Sequence, residues 1–155
     1  MLVNTGALGP VEVSPDHIFH LPEGLYGFEG KGDYALITKQ DEDVTLRWFQ
    51  SVDSTVPCFV VFDPFEMIDG YDPIVEPSDL NYLNSQDFSD LLFLVIAVVP
   101  EDIRGITVNL KSPIVINKRE RLARQVILSN RDYPIQFPLF ASEEEPQEPQ
   151  LSSNL

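Results

Sequence analysis

Several residue groupings in this chain have types and spacings that invite chemistry. Cys58 lies in "CFVVF", where an apolar strand disfavours the thiolate by desolvation, so it reads as a small buried hydrophobe and not as a nucleophile. His17 and His20 would face opposite sides of a strand, and one cysteine elsewhere leaves too few ligands for zinc. They read as surface or capping histidines. "DEDV" at Asp41–Val44 and "DGYD" at Asp69–Asp72 offer oxygens to calcium but lack the alternating donors and closing Glu of an EF-hand loop. "GLYGFEG" at Gly24–Gly30 lacks the Lys-Ser/Thr ending and following helix of a phosphate cradle, and no G-x-S-x-G occurs. Paired carboxylates for glycoside hydrolysis remain open in any acidic β protein, although the spacing singles out no pair. No motif calls for a cofactor, and no metal or catalytic residue is assigned.

Charge is the stronger signal. The net charge is −15 with a pI near 4.2, a balance that repels nucleic acids and like-charged membranes and favours cationic protein partners. No Lys or Arg lies between Arg47 and Arg104, whereas that stretch carries Asp53, Asp63, Glu66, Asp69, Asp72, Glu76, Asp79, Asp87, Asp90, Glu101 and Asp102. From Arg104 to Arg131 the balance inverts: Lys111, Lys118, Arg119, Arg121 and Arg124 accompany the two end residues, against Glu120 alone. Two arrangements satisfy this pattern: neutralisation across neighbouring strands, or segregation into patches. If the acidic loop Asp63–Asp79 stays exposed, its carboxylates surround Phe65, Met67, Ile68 and Tyr71, a mixture suited to a protein interface with an apolar centre. The other reading sends those apolar groups to the core and leaves a solvated loop. The basic span lacks the interleaved aromatics of a single-strand nucleic-acid platform.

The elements that must position these groups are short. A chain of 155 residues suits one domain with one core, and 13 Pro with 8 Gly favour turns over long helices. Strands are predicted at Val11–Val13, Ile18–His20, Tyr34–Thr38, Thr45–Val52, Cys58–Phe62, Leu91–Val99, Ile106–Leu110, Ile114–Asn117 and Arg124–Leu128. "LLFLVIAVV" is apolar throughout and predicts a central strand buried on both faces. "PIVEPSDLNYLNSQDFSDLL" predicts one or two helical turns, capped by Ser78 or Asp79 after Pro77, with Leu80 and Leu83 on the apolar face. Pro64, Pro73, Pro77 and Pro100 would stop strands. The expected fold is all-β and mainly antiparallel. The β domain spans 1–140, and 141–155, with four Glu and two Pro, reads as an acidic disordered tail. The start "MLVNTGALGPVEV" has no leader pattern, and no apolar run reaches the ~18 residues of a membrane helix, which predicts a cytoplasmic location.

Three stretches, "LPEGLYGFEG" at Leu21–Gly30, "RWFQSVDSTVPCFVVFDP" at Arg47–Pro64 and "NLKSPIVINKRERLARQVIL" at Asn109–Leu128, resemble in order and spacing the flagellar assembly factor FliW family. The closing "YPIQFPL" is similar too. Ser112 stands where the family often has Ala, and Ala123 where it often has Gly. The resemblance covers Met1 to about Phe140, and nothing transfers to the tail. It implies a small antiparallel β-barrel-like protein without enzymatic activity, monomeric, that binds flagellin and, when flagellin is exported, binds the RNA-binding translational repressor CsrA away from its RNA site. Repression of flagellin translation would thereby be relieved. The repressor contact is expected on Asp63, Glu66, Asp69, Asp72, Glu76 and Asp79. Within the basic motif, Asn109 is expected to bond backbone at a strand end, Pro113 to open a strand, and Ile114 and Ile116 to fill core. A carbohydrate-active enzyme using two acids and a calcium- or ligand-binding structural module are the competing classes.

Overall fold

Pleated strands with apolar residues on both faces need cover on both faces, and this architecture supplies it. The computed structural model describes residues 1–140; the tail at 141–155 lies outside the described residues. Strands run in the order β1 (Leu2–Thr5), β2 (Gly9–Glu12), β3 (Ile18–His20), β4 (Asp33–Asp41), β5 (Val44–Ser51), β6 (Cys58–Phe62), β7 (Leu91–Val98), β8 (Thr107–Val108), β9 (Ile114–Asn117), β10 (Leu122–Gln125) and β11 (Phe137–Pro138). Two short helices, α1 (Pro64–Met67) and α2 (Pro77–Tyr82), fall between β6 and β7.

The hydrogen-bonded neighbours β7-β6-β5-β4-β3-β10-β9 close into a ring because β9 pairs back onto β7. Every join in it is antiparallel except β3–β10, which is parallel and rests on one register pair, Leu122 with His20. One side-chain parity points inward, where Phe19, Leu21, Leu25, Tyr34, Phe49, Val61, Leu94, Ile114, Ile116 and Ala123 pack. The opposite parity is covered twice. The β1–β2 hairpin packs Val3, Val13 and Val11 against Ala35, Ile37 and Trp48, and the segment between β6 and β7 packs Tyr71, Val75 and Leu83 against Phe93, Val95 and Val115. Hence "LLFLVIAVV" and "PIVIN" read as unbroken apolar runs: each strand is buried on both faces.

β7 changes partner along one edge. Leu94 pairs with Ile114 and Ala97 with Val108, so three steps along β7 correspond to six on the other side. The surplus residues form the "NLKSP" bulge, where Asn109 Oδ1 accepts from the amides of Lys111 and Ser112 at 3.1 and 3.0 Å. That bulge accounts for most of the basic motif: Asn109 satisfies backbone, Pro113 precedes β9, and Ile114, Val115 and Ile116 are all buried. "LPEGLYGFEG" inserts Leu21 and Leu25 into the ring interior, and its Gly24 has φ +68 with no room for a Cβ, which would stand 2.6 Å from the Phe28 carbonyl oxygen.

Several expectations require correction. The strand predicted at Arg124–Leu128 starts at Leu122 and stops at Gln125, since the Val126 and Leu128 amides donate to Pro113 and Lys111 carbonyls along the bulge. The one predicted at Ile106–Leu110 is shortened to β8 by the same bulge. The strand expected at Val11–Val13 lies at Gly9–Glu12 and pairs with Leu2–Thr5, which carries too little apolar content to signal a strand. Pro64 opens α1 instead of a loop. In α2, Pro77 takes the first helical position, so the cap falls to Glu76, which makes no side-chain bond to the helix, while Ser78 and Asp79 sit inside the first turn. Cys58 is half-buried, not buried, and its thiol is pushed up by desolvation. His17 lies in a short helical turn before β3 instead of on the strand.

Candidate functional site

The segment 63–90 leaves β6, crosses the outer face of β7 and re-enters the ring. Its first turn forms because Asp63 Oδ1 accepts the Phe65 amide at 2.9 Å and Pro64 supplies a pre-set φ. Phe65 then lies edge-on to Phe93 at 5.6 Å and to Tyr71 at 5.2 Å. Phe88, at the other end of the segment, approaches the same Phe93 ring at 5.7 Å, and Tyr71 stacks on Tyr133 at 5.0 Å. Phe93 is 2 % exposed, whereas Phe65 is 50 % and Phe88 40 % exposed. Two half-exposed rings therefore flank one buried ring.

The segment is tied down by side chains from the stretch after β10. Asn130 Oδ1 accepts from the Ile74 amide at 2.7 Å and its Nδ2 donates to the Asp72 carbonyl at 2.9 Å. Tyr133 Oη accepts from the Asp72 amide at 2.7 Å, and Tyr71 Oη donates to the Leu110 carbonyl at 3.3 Å. The Ser129 amide donates to the Ile74 carbonyl. Burial pushes the Tyr71 hydroxyl well above the usual phenol range, with Tyr133 adding to the rise, so it stays a donor.

The six acidic residues predicted from sequence occupy two environments. Glu66, Asp69 and Asp72 are exposed around Phe65 and Tyr71, with Asp63 half-buried as the α1 cap. Glu66 stands 3.6 Å from Arg47. Glu76 and Asp79 lie elsewhere. The Glu76 carboxylate accepts from Ser129 Oγ, and Asp79, with a side chain 14 % exposed, meets Arg124 at 3.2 Å. Arg124 also reaches Glu23 at 3.1 Å and covers the Tyr82 ring at 4.2 Å. Desolvation raises the Asp79 pKa despite Arg124, and the Glu76 and Glu23 charges push the same way. Asp79 therefore belongs to an internal ion cluster that joins α2, β10 and the 21–30 loop.

Neither charge arrangement left open by the sequence holds alone. Arg124 and Arg119 meet acids of the middle stretch, the latter at 3.9 Å from Asp90. Arg121 instead donates to the Pro15 carbonyl and Lys111 to the Asn130 carbonyl. Sequence reasoning missed the pairing of Phe88 with Phe93, the Asp87 side chain that accepts the Ser89 amide, and the Asn130 tether. The signal for Phe88 was an isolated ring between two acids in "DFSD", as Phe65 lies between Asp63 and Glu66 in the "DPFE" of α1.

A polar depression of about 290 Å³ is lined by Ile18, Phe19, His20, Asp33, Glu120 and Arg121. Its His20 Nδ1 lies 2.7 Å from Asp33 Oδ1, and Glu120 accepts from Asn84. No Ser, Thr or Cys lines it for activation. Among the described residues no cluster of three or more His, Cys, Asp or Glu has metal-holding geometry, and no helix is long and apolar enough to cross a membrane.

Comparison with known proteins agrees with this architecture. The family described as FliW protein matches residues 2–139. The flagellar assembly factor FliW of Thermoanaerobacter pseudethanolicus is 36% identical over 139 residues, covering 90% of this chain and 93% of that protein. That of Caldanaerobacter subterraneus subsp. tengcongensis is 34% identical over 139 residues, covering 90% and 93%. A crystal structure of the flagellar assembly factor FliW superposes with a TM-score of 0.82 at 28% identity, covering 92% of this chain and 99% of that one. These relatives carry the name of an assembly factor, a non-enzymatic role. With the family matched across the ring and both of its covers, this chain belongs to the FliW family of flagellar assembly factors.

Proposed function

We propose that this chain is a monomeric cytoplasmic regulator of flagellar assembly that binds flagellin and, once flagellin is exported, binds the translational repressor CsrA, relieving repression of flagellin translation. The observation that carries the reading is the outer face of the 63–72 segment, where exposed carboxylates surround a half-exposed aromatic on a chain of net charge −15. Such a face suits a basic protein: opposite charge steers the encounter, and an apolar centre supplies residence time. The repressor contact falls on Glu66, Asp69 and Asp72, with Asp63 holding the turn. Glu76 and Asp79 support the segment through Ser129 and Arg124 instead of touching the partner.

Calorimetric titration against the CsrA of the same genome, at low and high salt, tests this. Saturable binding that weakens with salt is expected, and D69K/D72K should weaken it at least about tenfold without lowering Tm. Full-affinity binding by that variant would remove the loop from the contact. Absence of CsrA binding at either salt would refute the repressor mechanism and leave flagellin to be titrated in the same way.

A further inference from the structure

Two acidic segments far apart in the loop converge on one buried ring. Phe65 lies two residues after Asp63 and Phe88 one residue after Asp87; each carboxylate caps a short turn that carries its ring in the first two positions. Each turn leaves its ring half exposed over Phe93. Glu66 and Asp69 follow Phe65 within four residues of the chain, Asp87 and Asp90 bracket Phe88, and all four are exposed. The nearby cations are few: Arg47 reaches Glu66 at 3.6 Å and Arg119 reaches Asp90 at 3.9 Å, separations that neutralise little in water. An apolar centre with a surplus of carboxylates at its edge is thus built from both ends of the segment.

We infer that Phe65 and Phe88, both packed against Phe93, anchor a single docking surface whose partner is a protein face with apolar side chains in the middle and Lys or Arg around them. This deepens the reading above and rests on it: it moves the centre of the contact from the acidic loop to the two rings and adds Asp87 and Asp90 to the edge. Charge complementarity selects the occupant. A second copy of this chain would bring carboxylates against carboxylates, which opposes self-association through this face. Exposed aromatics at the centre of such a patch carry most of the binding free energy, while the charged edge governs encounter rate and salt response.

The test uses the full chain with CsrA, with flagellin, and with a synthetic amphipathic helix of Leu and Lys as a partner-independent probe. Binding of each to wild type, F65S, F88S and the control I103S is measured by titration, and contacts are mapped by amide chemical-shift changes. Thermal melts confirm that the variants fold. Expected are losses of at least about tenfold for F65S and F88S, none for I103S, and shifts concentrated at 63–72 and 87–93. CsrA or flagellin binding undiminished in both ring variants, with shifts elsewhere, would overturn the surface and spare the regulatory reading. Failure of both natural partners, with the Leu/Lys helix still mapping to the two rings, would sink that reading and keep the surface. Helix-induced shifts spread over the molecule, or concentration-dependent dimers of the wild type that F65S abolishes, would overturn it.

Discussion

Tyr34 is buried inside the ring, stacked on Phe49 at 4.9 Å, and its hydroxyl has no hydrogen-bond partner among the described residues. A buried donor left unpaired costs about 1–3 kcal/mol, so Tyr34→Phe is expected to raise stability by about 1 kcal/mol in urea melts at neutral pH. Burial lifts this phenol from 10.0 to about 12. The unfolded chain therefore ionises this phenol first, and the wild type loses further stability as pH rises from 10 towards 12. Melts at pH 7 and pH 11 should show the variant's advantage growing on the alkaline side. Asp79 gives the acid-side counterpart. Its pKa is raised above 3.8, mainly by desolvation, so its contribution is present at low pH and falls as pH rises through the folded-state value. Asp79→Asn, which imitates the protonated form, should gain on wild type across that window; a pH-independent difference in Tm would contradict the desolvated environment. Neither behaviour was legible in sequence, because Tyr34 and Asp79 owe it to what packs over them and not to their neighbours in the chain.

At the level of elements, the loop 71–76 holds its course through Asn130, whose amide both accepts from Ile74 and donates to Asp72. Asn130→Ala removes both bonds at an exposed site, and about 1–2 kcal/mol of stability should be lost in thermal melts. Faster amide exchange confined to 72–76 would identify the tether as the cause. Gly24→Ala should cost more than this, since the new Cβ collides with backbone at Phe28 and Glu29 in a left-handed conformation. The sequence revealed most strands of the ring, with β3, β6 and β9 at their observed bounds, because apolar runs between Pro and Gly punctuation specify them. It hid the bulge at Asn109–Pro113, the strand β1, whose four residues pair in a local hairpin with β2, and the edge strand β11, whose partner β8 lies far back in the sequence. The acidic stretch was visible as composition, but its division into an aromatic face and an internal cluster around Arg124 was not. That division depends on where α2 lands, which no local pattern encodes.

For the molecule as a whole, a net charge of −15, with 25 Asp and Glu against 10 Lys and Arg, implies self-repulsion in the folded state. Moderate salt should raise Tm while weakening association with cationic partners; scanning calorimetry between low and roughly physiological ionic strength, where screening acts over about 8 Å, checks the first half. The ring itself is unevenly closed. β4 and β5 share a long ladder, whereas β3 and β10 meet at Leu122 and His20, with the His20 amide donating to the Arg121 carbonyl. Joining those two segments encloses most of the chain, so its loop-closure entropy falls on the thinnest join. The cylinder should therefore breathe by parting there first. In native-state hydrogen exchange the His20 amide should be released well before those at the centre of β4 and β5, leaving a curled open sheet as the lowest-lying excited form.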